Sequence, residues 1–488
     1  MLKGIFVVCR ELSMMDIYLP FLKEAPAVPE RLSEKPHEKA IGTIVAKASR
    51  LSARVQQYLY SGDFRDQAQK RPQAFTRRRK VGLVGVVSII LNMVRKTTQV
   101  ELDDYLERIH PEGGAMTYTK QSFAEARQNL RPEALTGLND VLIQGYYTDG
   151  DYARYHGFRL LAVDGSVMEL PNTPALREKY GTAENQSERG VLARARSSSL
   201  YDILNGLTIH TVLGRYDRAE RDMAKEHLIA LGHLTPSDTP NLVLFDRGYP
   251  SADLILWLIA HHIRFVMRVS EGFYSEISAV TESDAVVTIR ITPDRARRLK
   301  EQGTPVPIGT ELTLRVLKLP LPSGEVETLV TDLTPVELPY AEALALYFRR
   351  WGLETHYDDL KNKFEIENFS GHTPVVVEQD FAATTFLSNL AAIVEEDAQV
   401  EANARLRQSP QTYKYREYRI NRNVLVGTIK NRLIQALLEP DGAQRDQAFQ
   451  RIVRHVQRAL IPVRRGRTAS RHKGKKANKY SQNRRRPL

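Results

Sequence analysis

The sequence predicts an α/β protein whose mixed β-sheet is flanked by helices. Between residues 156 and 270 the apolar pattern alternates between strand and helix periods, in the order β-β-β-α-β-α-β. Residues 271–332 are rich in Val, Thr, Gly and Pro and alternate with period two, which predicts a β-rich insertion. Helical spacing dominates before and after this region, so helical N- and C-terminal regions are expected on both sides of the sheet.

The N-terminal region, residues 1–150, is predicted to be helical. The segment TRRRKVGLVGVVSIILNMVRKTTQVELDDYLERIH carries apolar residues at helical spacing, and Thr119 is a candidate N-cap for a later helix. Helices joined by short turns occur in helix-turn-helix DNA readers and also in ordinary helical bundles. The sequence leaves both interpretations open for this region.

Residues 151–270 are predicted to form the first part of the sheet domain. HGFRLLAVDGSVMELP contains a strand that ends near an acid, and SSSLYDILNGLTIHTVLGRY reads as two strands joined by a turn at Asn205–Gly206. NLVLFDRGY and RFVMRVS are two further strands, and each is preceded by an amphipathic or apolar helix. The predicted order is therefore one strand, then a hairpin, then two strands that each follow a helix.

The rest of the chain completes the predicted organisation. After the insertion at 271–332, residues 333–395 are expected to return to the sheet domain with the helix LYFRRWGLETHYDDLKNKF. Residues 396–463 are predicted to form a C-terminal helical region, and residues 464–488 a disordered basic tail.

The net charge of +12 is concentrated in that tail. Residues 464–488 contain eleven Lys and Arg and no acid, and subtracting these charges leaves the first 463 residues with +1. Such a tail attracts the phosphates of a nucleic acid by counterion release, without reading sequence. A solvated tail without a partner is the alternative, and membrane binding is disfavoured because the tail has no apolar anchor.

Cysteine usage and hydropathy indicate a soluble protein of a reducing compartment. Cys9 is the only cysteine, which excludes an internal disulfide and fits the cytoplasm. The longest nearly uncharged apolar run, at 81–94, has 14 residues. A membrane span needs about 20 residues, so this run is predicted to be a buried helix.

Three acids are candidate metal ligands and catalytic residues. Asp164 in LLAVDGS and Asp246 in LVLFDRGY are predicted to close strands, and Glu354 lies on the later helix. Three carboxylates without clustered Cys or His select hard cations such as Mg²⁺ or Mn²⁺. Two such ions stabilise the attacking and leaving oxygens of an in-line phosphoryl transfer. The sequence therefore suggests metal-dependent phosphoryl transfer, provided that the fold brings the three acids together.

The helix at 346–364 also carries candidate phosphate ligands. Tyr347, Arg350, Glu354 and Lys361 stand at offsets 0, 3, 7 and 14. At ~100° per residue they fall within about 60° of one another. A solvated stripe with an i,i+4 ion pair is one reading; a phosphate-binding row around a metal ligand is the other. His356 lies almost opposite Glu354 on the same wheel, so a surface position is expected for it.

The stripe and the acid motifs resemble those of the DDE transposases of bacterial insertion sequences, in the family named after insertion sequence four. The stripe matches that family's Y-x2-R-x3-E-x6-K signature, and AVDGS, LVLFDRGY and YFRRWGLETHYDDLK stand where the family has its acid-bearing motifs. The resemblance covers about residues 70–435. It implies a ribonuclease-H-like sheet interrupted by a β-rich insertion between the second Asp and the Glu.

The resemblance also implies an activity. Asp164, Asp246 and Glu354 would bind two Mg²⁺ ions, for which Mn²⁺ substitutes, and Tyr347, Arg350 and Lys361 would hold phosphates at the transposon end. The implied reaction is hydrolysis at the element's terminus, a hairpin formed by the freed 3′-hydroxyl, its reopening, and joining to target DNA. Relatives work as dimers on double-stranded DNA, with N-terminal helices on the terminal inverted repeats, so a homodimer in the bacterial nucleoid is expected.

One feature departs from that family. Some relatives stack an extruded base on a tryptophan of the insertion, whereas Trp257 and Trp351 both lie outside it. Trp351 is a candidate DNA contact beside Arg350, with a core position as the alternative, and Phe273 and Tyr274 are candidate stacking residues. Two other functions remain open: a catalytically inactive, transposase-derived DNA-binding protein, and a metal-dependent nuclease without strand transfer.

Overall fold

The computed structural model describes residues 46–463, except for 77–80, 93–96, 110–116, 185–190, 271, 322–323, 410–413 and 416. Cys9 and the basic tail at 464–488 lie outside the described residues. The main hydrophobic core extends from Ala48 in the first described helix to Val456 near the end, and a small second cluster contains Ala252, Ile291 and Leu299. No helix of the described ranges is long and apolar enough to cross a membrane.

Six helices precede the sheet in the described part of the chain: α1 (Lys47–Leu59), α2 (Gly62–Ala68), α3 (Leu83–Asn92), α4 (Thr98–Ile109), α5 (Lys120–Gln128) and α6 (Glu133–Thr148). Residues 46–148 are thus mostly helical where the structure describes them. The Thr119 hydroxyl accepts a hydrogen bond from the Ser122 amide, as expected of the N-cap of α5.

The sheet domain follows. Its first part contains β1 (Arg159–Glu169), α7 (Pro174–Tyr180), β2 (Thr182–Glu184), β3 (Val191–Asp202), β4 (Leu207–Arg215), α8 (Glu220–Leu234), β5 (Asn241–Phe245), α9 (Ala252–Ala260) and β6 (Arg264–Arg268). β3 and β4 form the predicted hairpin, and Gly206 in its turn has φ +71°. That left-handed conformation suits glycine.

Strand pairing gives a ribonuclease-H-like topology. β1, β3 and β4 pair antiparallel, and β5 and β6 continue the sheet parallel to β1 on its other side. The five strands stand in the order β4-β3-β1-β5-β6, with three antiparallel strands followed by two parallel ones. Helical crossovers connect the parallel strands, as the chain requires. The predicted mixed α/β sheet with flanking helices is confirmed.

The insertion extends this sheet instead of forming a separate one. It contains α10 (Ser275–Ser278), β7 (Asp284–Arg290), α11 (Pro293–Glu301), β8 (Glu311–Pro320) and β9 (Val326–Thr331). β9 pairs antiparallel with β6, which joins β7 and β8 to the edge of the sheet. The sequence pattern missed α11, which begins with Thr292 as N-cap and Pro293 in the first turn.

The helix predicted at 346–364 is divided in two, α12 (Tyr340–Phe348) and α13 (Trp351–Asn362). The amides of Arg350 and Leu353 bond to carbonyls three residues earlier, at 3.1 and 3.0 Å, so the helix tightens between them. A helical wheel with a constant ~100° per residue therefore does not give the relative directions of side chains before and after this junction.

The C-terminal part contains α14 (Pro374–Gln408), β10 (Tyr418–Ile420), α15 (Arg422–Leu438), α16 (Gly442–Val456) and β11 (Leu460–Pro462). The long helix α14 runs through the domain boundary expected at 395 and contacts α1, α6, α15 and α16. N- and C-terminal helices therefore pack on one shared helix, which also contacts β4 of the sheet.

Candidate active site

Two of the predicted acids lie at equivalent positions on neighbouring parallel strands. The last register pair of β1 and β5 is Ala162 with Leu244, and Asp164 and Asp246 each follow two residues later. Asp246 comes directly after β5, as predicted. Asp164 does not close its strand, because β3 supports β1 as far as Glu169. The predicted strand end was wrong. The apolar pattern does not show that β1 continues beyond Ala162 by pairing with β3 alone.

Helix α13 packs against the part of β1 that carries Asp164. The Tyr357 hydroxyl donates a hydrogen bond to the Asp164 carbonyl at 3.0 Å, and Lys361 Nζ donates to the Val167 carbonyl at 2.6 Å. Both donors belong to the helix whose first turn carries Glu354. These bonds fasten the glutamate helix to the aspartate strand.

Arg350 connects the acids. Its Nη1 lies 3.5 Å from Asp164 Oδ2, and its Nη2 lies 2.8 Å from Glu354 Oε1. The Tyr347 hydroxyl lies 3.5 Å from Asp246 Oδ1. The Arg350 side chain is only 5% exposed, so these contacts are made in a region of low dielectric. Acids that are 82 and 108 residues apart in sequence thus meet around one buried guanidinium.

The environment disfavours the ionised form of the acids. Burial raises the pKa of Asp164 to about 6, although the Arg350 guanidinium and the Gly165 amide act in the opposite direction. Burial also raises the pKa of Glu354, again against the effect of Arg350. A cation stronger than one shared guanidinium would stabilise both carboxylates further.

The donor set fits a hard divalent cation in its chemistry, since carboxylate oxygens are the ligands that Mg²⁺ and Mn²⁺ prefer. Within the described residues, however, no group of three or more His, Cys, Asp or Glu side chains is placed to hold a metal ion. Arg350 lies between Asp164 and Glu354 and bonds to both. A cation bound by these acids would take over the charge compensation that Arg350 now provides.

The two remaining predicted residues flank this cluster. The Lys361 ammonium bonds to β1 and lies 3.3 Å from Glu367 Oε1, so it faces protein groups. Trp351 is half-buried at the start of α13, and its ring centroid is 5.5 Å from the Arg350 guanidinium carbon. The Tyr347 ring centroid is 5.9 Å from the same carbon, so two aromatic rings flank the arginine.

The sequence pattern gave no sign of the hydrogen bond from buried Tyr357 to the Asp164 carbonyl, and it misplaced His356. His356 was expected at the surface but is buried, stacked on Tyr201 at 4.5 Å and hydrogen-bonded to Thr208. Burial lowers the pKa of His356 to about 3, so it is neutral at physiological pH. A helical wheel cannot show that β1 packs on one side of α13 and that Arg422 of α15 pairs with Asp359 on it.

Residues 155–390, which contain all three acids and the insertion, match the family model of the transposase DDE domain. Transposase InsG of insertion sequence element IS4 from Escherichia coli (strain K12) is 24% identical over 322 residues, covering 64% of this chain and 70% of that protein. Both matches support a bacterial insertion-sequence transposase whose DDE domain spans residues 155–390. This transposase therefore acts on DNA, and a divalent metal ion is the class of cofactor its family uses.

Other relatives of the transposase are more distant or partial. The putative transposase InsZ of Escherichia coli (strain K12) is 30% identical over 153 residues, covering 30% of this chain and 48% of that protein. A piggyBac transposase synaptic complex with hairpin DNA shares 10% identity at a TM-score of 0.40, covering 84% of this chain and 86% of that one. The Mos1 mariner paired end complex with Mn shares 9% sequence identity at a TM-score of 0.17, covering 44% of this chain and 65% of that one. With both TM-scores below 0.5, the ribonuclease-H-like assignment depends on strand topology.

Proposed function

We propose that this transposase moves its element by cut-and-paste transposition: cleavage at the element's ends, a hairpin intermediate, and strand transfer into target DNA. The observation that supports it best is the buried Arg350, which bonds to Asp164 and Glu354 from separate elements. One carboxylate would be enough to neutralise Arg350 in an ordinary structural ion pair, whereas Arg350 contacts two. Carboxylates brought together from β1, from the residue after β5 and from the first turn of α13 suit metal-dependent phosphoryl transfer.

Asp164, Asp246 and Glu354 are the residues that would hold two Mg²⁺ ions, with Mn²⁺ as a substitute. When bound, the ions polarise the scissile phosphate and lower the pKa of an attacking water or 3′-hydroxyl. The protein's own contribution is to hold the carboxylates at fixed spacing and to exclude bulk water. The bond from Tyr357 to the Asp164 main-chain carbonyl supports the fixed spacing, and the partly buried Asp164 side chain, 22% exposed, is shielded from most of the solvent.

Arg350 is proposed to exchange its carboxylate partners for a DNA phosphate when metal binds. Its planar guanidinium offers two parallel donors, which suits a phosphate oxygen pair as well as a carboxylate. Tyr347 and Lys361 would bind neighbouring phosphates, and Lys361 would have to leave Glu367 to do so. Trp351, beside Arg350, would stack on an unpaired base at the hairpin step.

The other regions are proposed to handle DNA away from the acids. The helices of residues 1–150 would bind the terminal inverted repeats, and the tail at 464–488 would add sequence-independent affinity for nucleoid DNA. A homodimer would pair two ends, with residues 151–270 and 333–395 as the catalytic domain. Residues 271–332 would then be the insertion, and 396–463 the C-terminal helical region.

Cleavage of the element's own ends tests this proposal. Purified protein with Mg²⁺ should cut linear DNA that carries those ends and should yield joined product with a target plasmid. Asp164→Asn should abolish cutting and leave end binding intact. Asp217→Asn, which changes an exposed acid paired with Arg215, is the matched control and should cut normally.

The alternatives give different products. Breaks without any joined product would assign a nuclease without strand transfer. End binding without breaks in either Mg²⁺ or Mn²⁺ would assign a DNA-binding protein that has lost catalysis. Equal cutting by Asp164→Asn and the unmodified protein would remove the three acids from the reaction.

A further inference from the structure

Past the end of β5, strand β1 keeps only one strand neighbour in the described part of the chain. β5 pairs with β1 from Arg159 to Ala162, whereas β3 pairs with it as far as Glu169. The Arg159 amide bonds to the Pro240 carbonyl just before β5. Main-chain groups alternate between the two edges of a strand, so those of Val167 and Glu169 point toward this same edge. The edge thus continues beyond the strand that covers its first part.

Two charged side chains bond to this edge in place of a strand. Lys361 of α13 donates from Nζ to the Val167 carbonyl at 2.6 Å. Glu367, in the segment after α13, accepts the Glu169 amide on Oε1 at 3.0 Å. The same Oε1 atom lies 3.3 Å from Lys361 Nζ. One carboxylate oxygen therefore faces a main-chain N–H group and an ammonium group, which are the donors that a phosphate oxygen also accepts from.

The bonds of Glu367 exceed what the strand edge requires. An edge amide needs one acceptor, and a neutral side chain or water is enough for that. The side chains of Lys361 and Glu367 are 27% and 25% exposed, so water reaches the ion pair and weakens it. Ile366 and Phe369 are buried on either side of Glu367 and hold the segment in place. The Glu367 side chain can therefore turn away while the main chain stays where it is.

The two donors lie at a distance from the acids that suits a neighbouring phosphate. Lys361 follows Glu354 by two helical turns, which is ~10 Å along α13. Val167 follows Asp164 by three residues, which is also ~10 Å along β1. A DNA strand with one phosphate at the acids has another about three nucleotides away, at ~3.4 Å for each nucleotide.

We propose that the Glu169 amide and the Lys361 ammonium form a binding site for a DNA phosphate, and that Glu367 is an internal anion that occupies this site until DNA displaces it. The inference rests on the proposed function, in which Lys361 binds DNA. The carboxylate of Glu169 itself lies 3.7 Å from the Arg194 guanidinium, which compensates its charge. Because the Lys361–Glu367 ion pair must break first, Glu367 lowers the affinity of the protein for DNA.

End binding in the absence of divalent cations tests the inference without a readout of catalysis. The full chain is titrated into a fluorescent duplex of its element's end, with EDTA and at constant salt. Glu367→Gln keeps an acceptor for the Glu169 amide and removes the competing charge. It should bind about fivefold more tightly, since no partly exposed ion pair has to break. Glu378→Gln is the matched control, because that carboxylate is 26% exposed and also pairs with a lysine, Lys179. It should bind like the unmodified protein.

A double-mutant cycle separates displacement from general repulsion between Glu367 and DNA. Lys361→Met should weaken end binding, and adding Glu367→Gln to that variant should give no gain. A gain of the same size with and without Lys361 would overturn the inference, because the charge would then act without the phosphate site. If Glu367→Gln does not fold, Glu367→Asp withdraws the carboxylate by one methylene. It should tighten binding to a smaller extent, again only when Lys361 is present.

The inference and the proposed function fail in different ways. Normal end binding by the unmodified protein with no gain in Glu367→Gln would overturn only the inference about Glu367. Unchanged end binding by Lys361→Met would overturn that inference and also the proposed role of Lys361. A fivefold gain in Glu367→Gln without cleavage in Mg²⁺ would confirm the phosphate site and contradict cut-and-paste transposition.

Discussion

The Tyr357 hydroxyl donates to the main-chain carbonyl of Asp164 at 3.0 Å and lies 3.0 Å from the Ser199 hydroxyl. Tyr357 stands one helical turn after Glu354, so one buried side chain links the glutamate helix to β1 and β3. The spacing between Asp164 and Glu354 thus depends on a tyrosine that is itself not an acid of the site.

Tyr357→Phe should lower the rate of end cleavage by about tenfold, since a small displacement of positioned groups is costly to catalysis. Loss of the hydrogen bond should reduce the free energy of unfolding by about 1 kcal/mol. Cleavage kinetics and urea unfolding measure the two effects. Tyr340→Phe is the control, because its hydroxyl bonds to the Lys318 carbonyl of the insertion at 2.7 Å. It should lose similar stability and keep its cleavage rate; an equal loss of rate would contradict the positioning role.

Arg350→Met should destabilise the metal-free protein, because Asp164 and Glu354 lose their shared cation. We expect a loss of about 2 kcal/mol, less than for a fully buried pair since the Glu354 side chain is 35% exposed. Added Mg²⁺ should restore more stability to this variant than to the unmodified protein. Thermal melts with and without Mg²⁺ measure this difference. Arg349→Met serves as the control, and an identical response of the two variants would contradict the prediction.

Asp397 should make stability depend on pH. Its carboxylate accepts bonds from the amides of Lys47 and Ala48 at the start of α1, and burial raises its pKa from 3.8 to about 7. Between about pH 4 and 7 the folded protein holds a proton that the unfolded chain releases. Stability from this group therefore falls as pH rises through that window, by up to about 1.4 kcal/mol per unit.

Asp397→Asn should make the unfolding free energy less dependent on pH over that range, because the difference of about one bound proton between the folded and unfolded states is removed. Denaturant unfolding at several pH values measures the slope. Asp66→Asn, at an exposed position of α2, should leave the slope unchanged. A slope that Asp397→Asn does not alter would show that Asp397 is ionised in the folded protein.

Removal of residues 464–488 should weaken binding to random-sequence DNA and flatten its salt dependence. Eleven cationic side chains leave with this segment, and each released counterion contributes to the salt slope. Fluorescence anisotropy at several salt concentrations measures the slope. Binding that is unchanged at every salt concentration would mean that the tail does not contact DNA.

Much of the sheet could be predicted because its signals are local. The hairpin of β3 and β4 follows from strand periodicity around Asn205–Gly206, and Asp246 follows a short buried strand as the pattern indicates. Asp164 was misplaced at a strand end because the length of β1 is decided by its partner β3. The division of the glutamate helix at Arg350 could not be predicted either, since no proline marks the junction.

The sequence by itself determined which chemistry is available: Asp164, Asp246 and Glu354 with Arg350 nearby, and no clustered Cys or His. Only the tertiary structure decided how these groups are arranged, because carboxylates far apart in sequence meet only through the pairing of β1 with β5 and the packing of α13 on β1. The same packing turned Arg350 toward two of the acids. The sequence states which side chain stands at each position, but which charges neighbour one another in a buried site depends on how all the surrounding helices and strands pack.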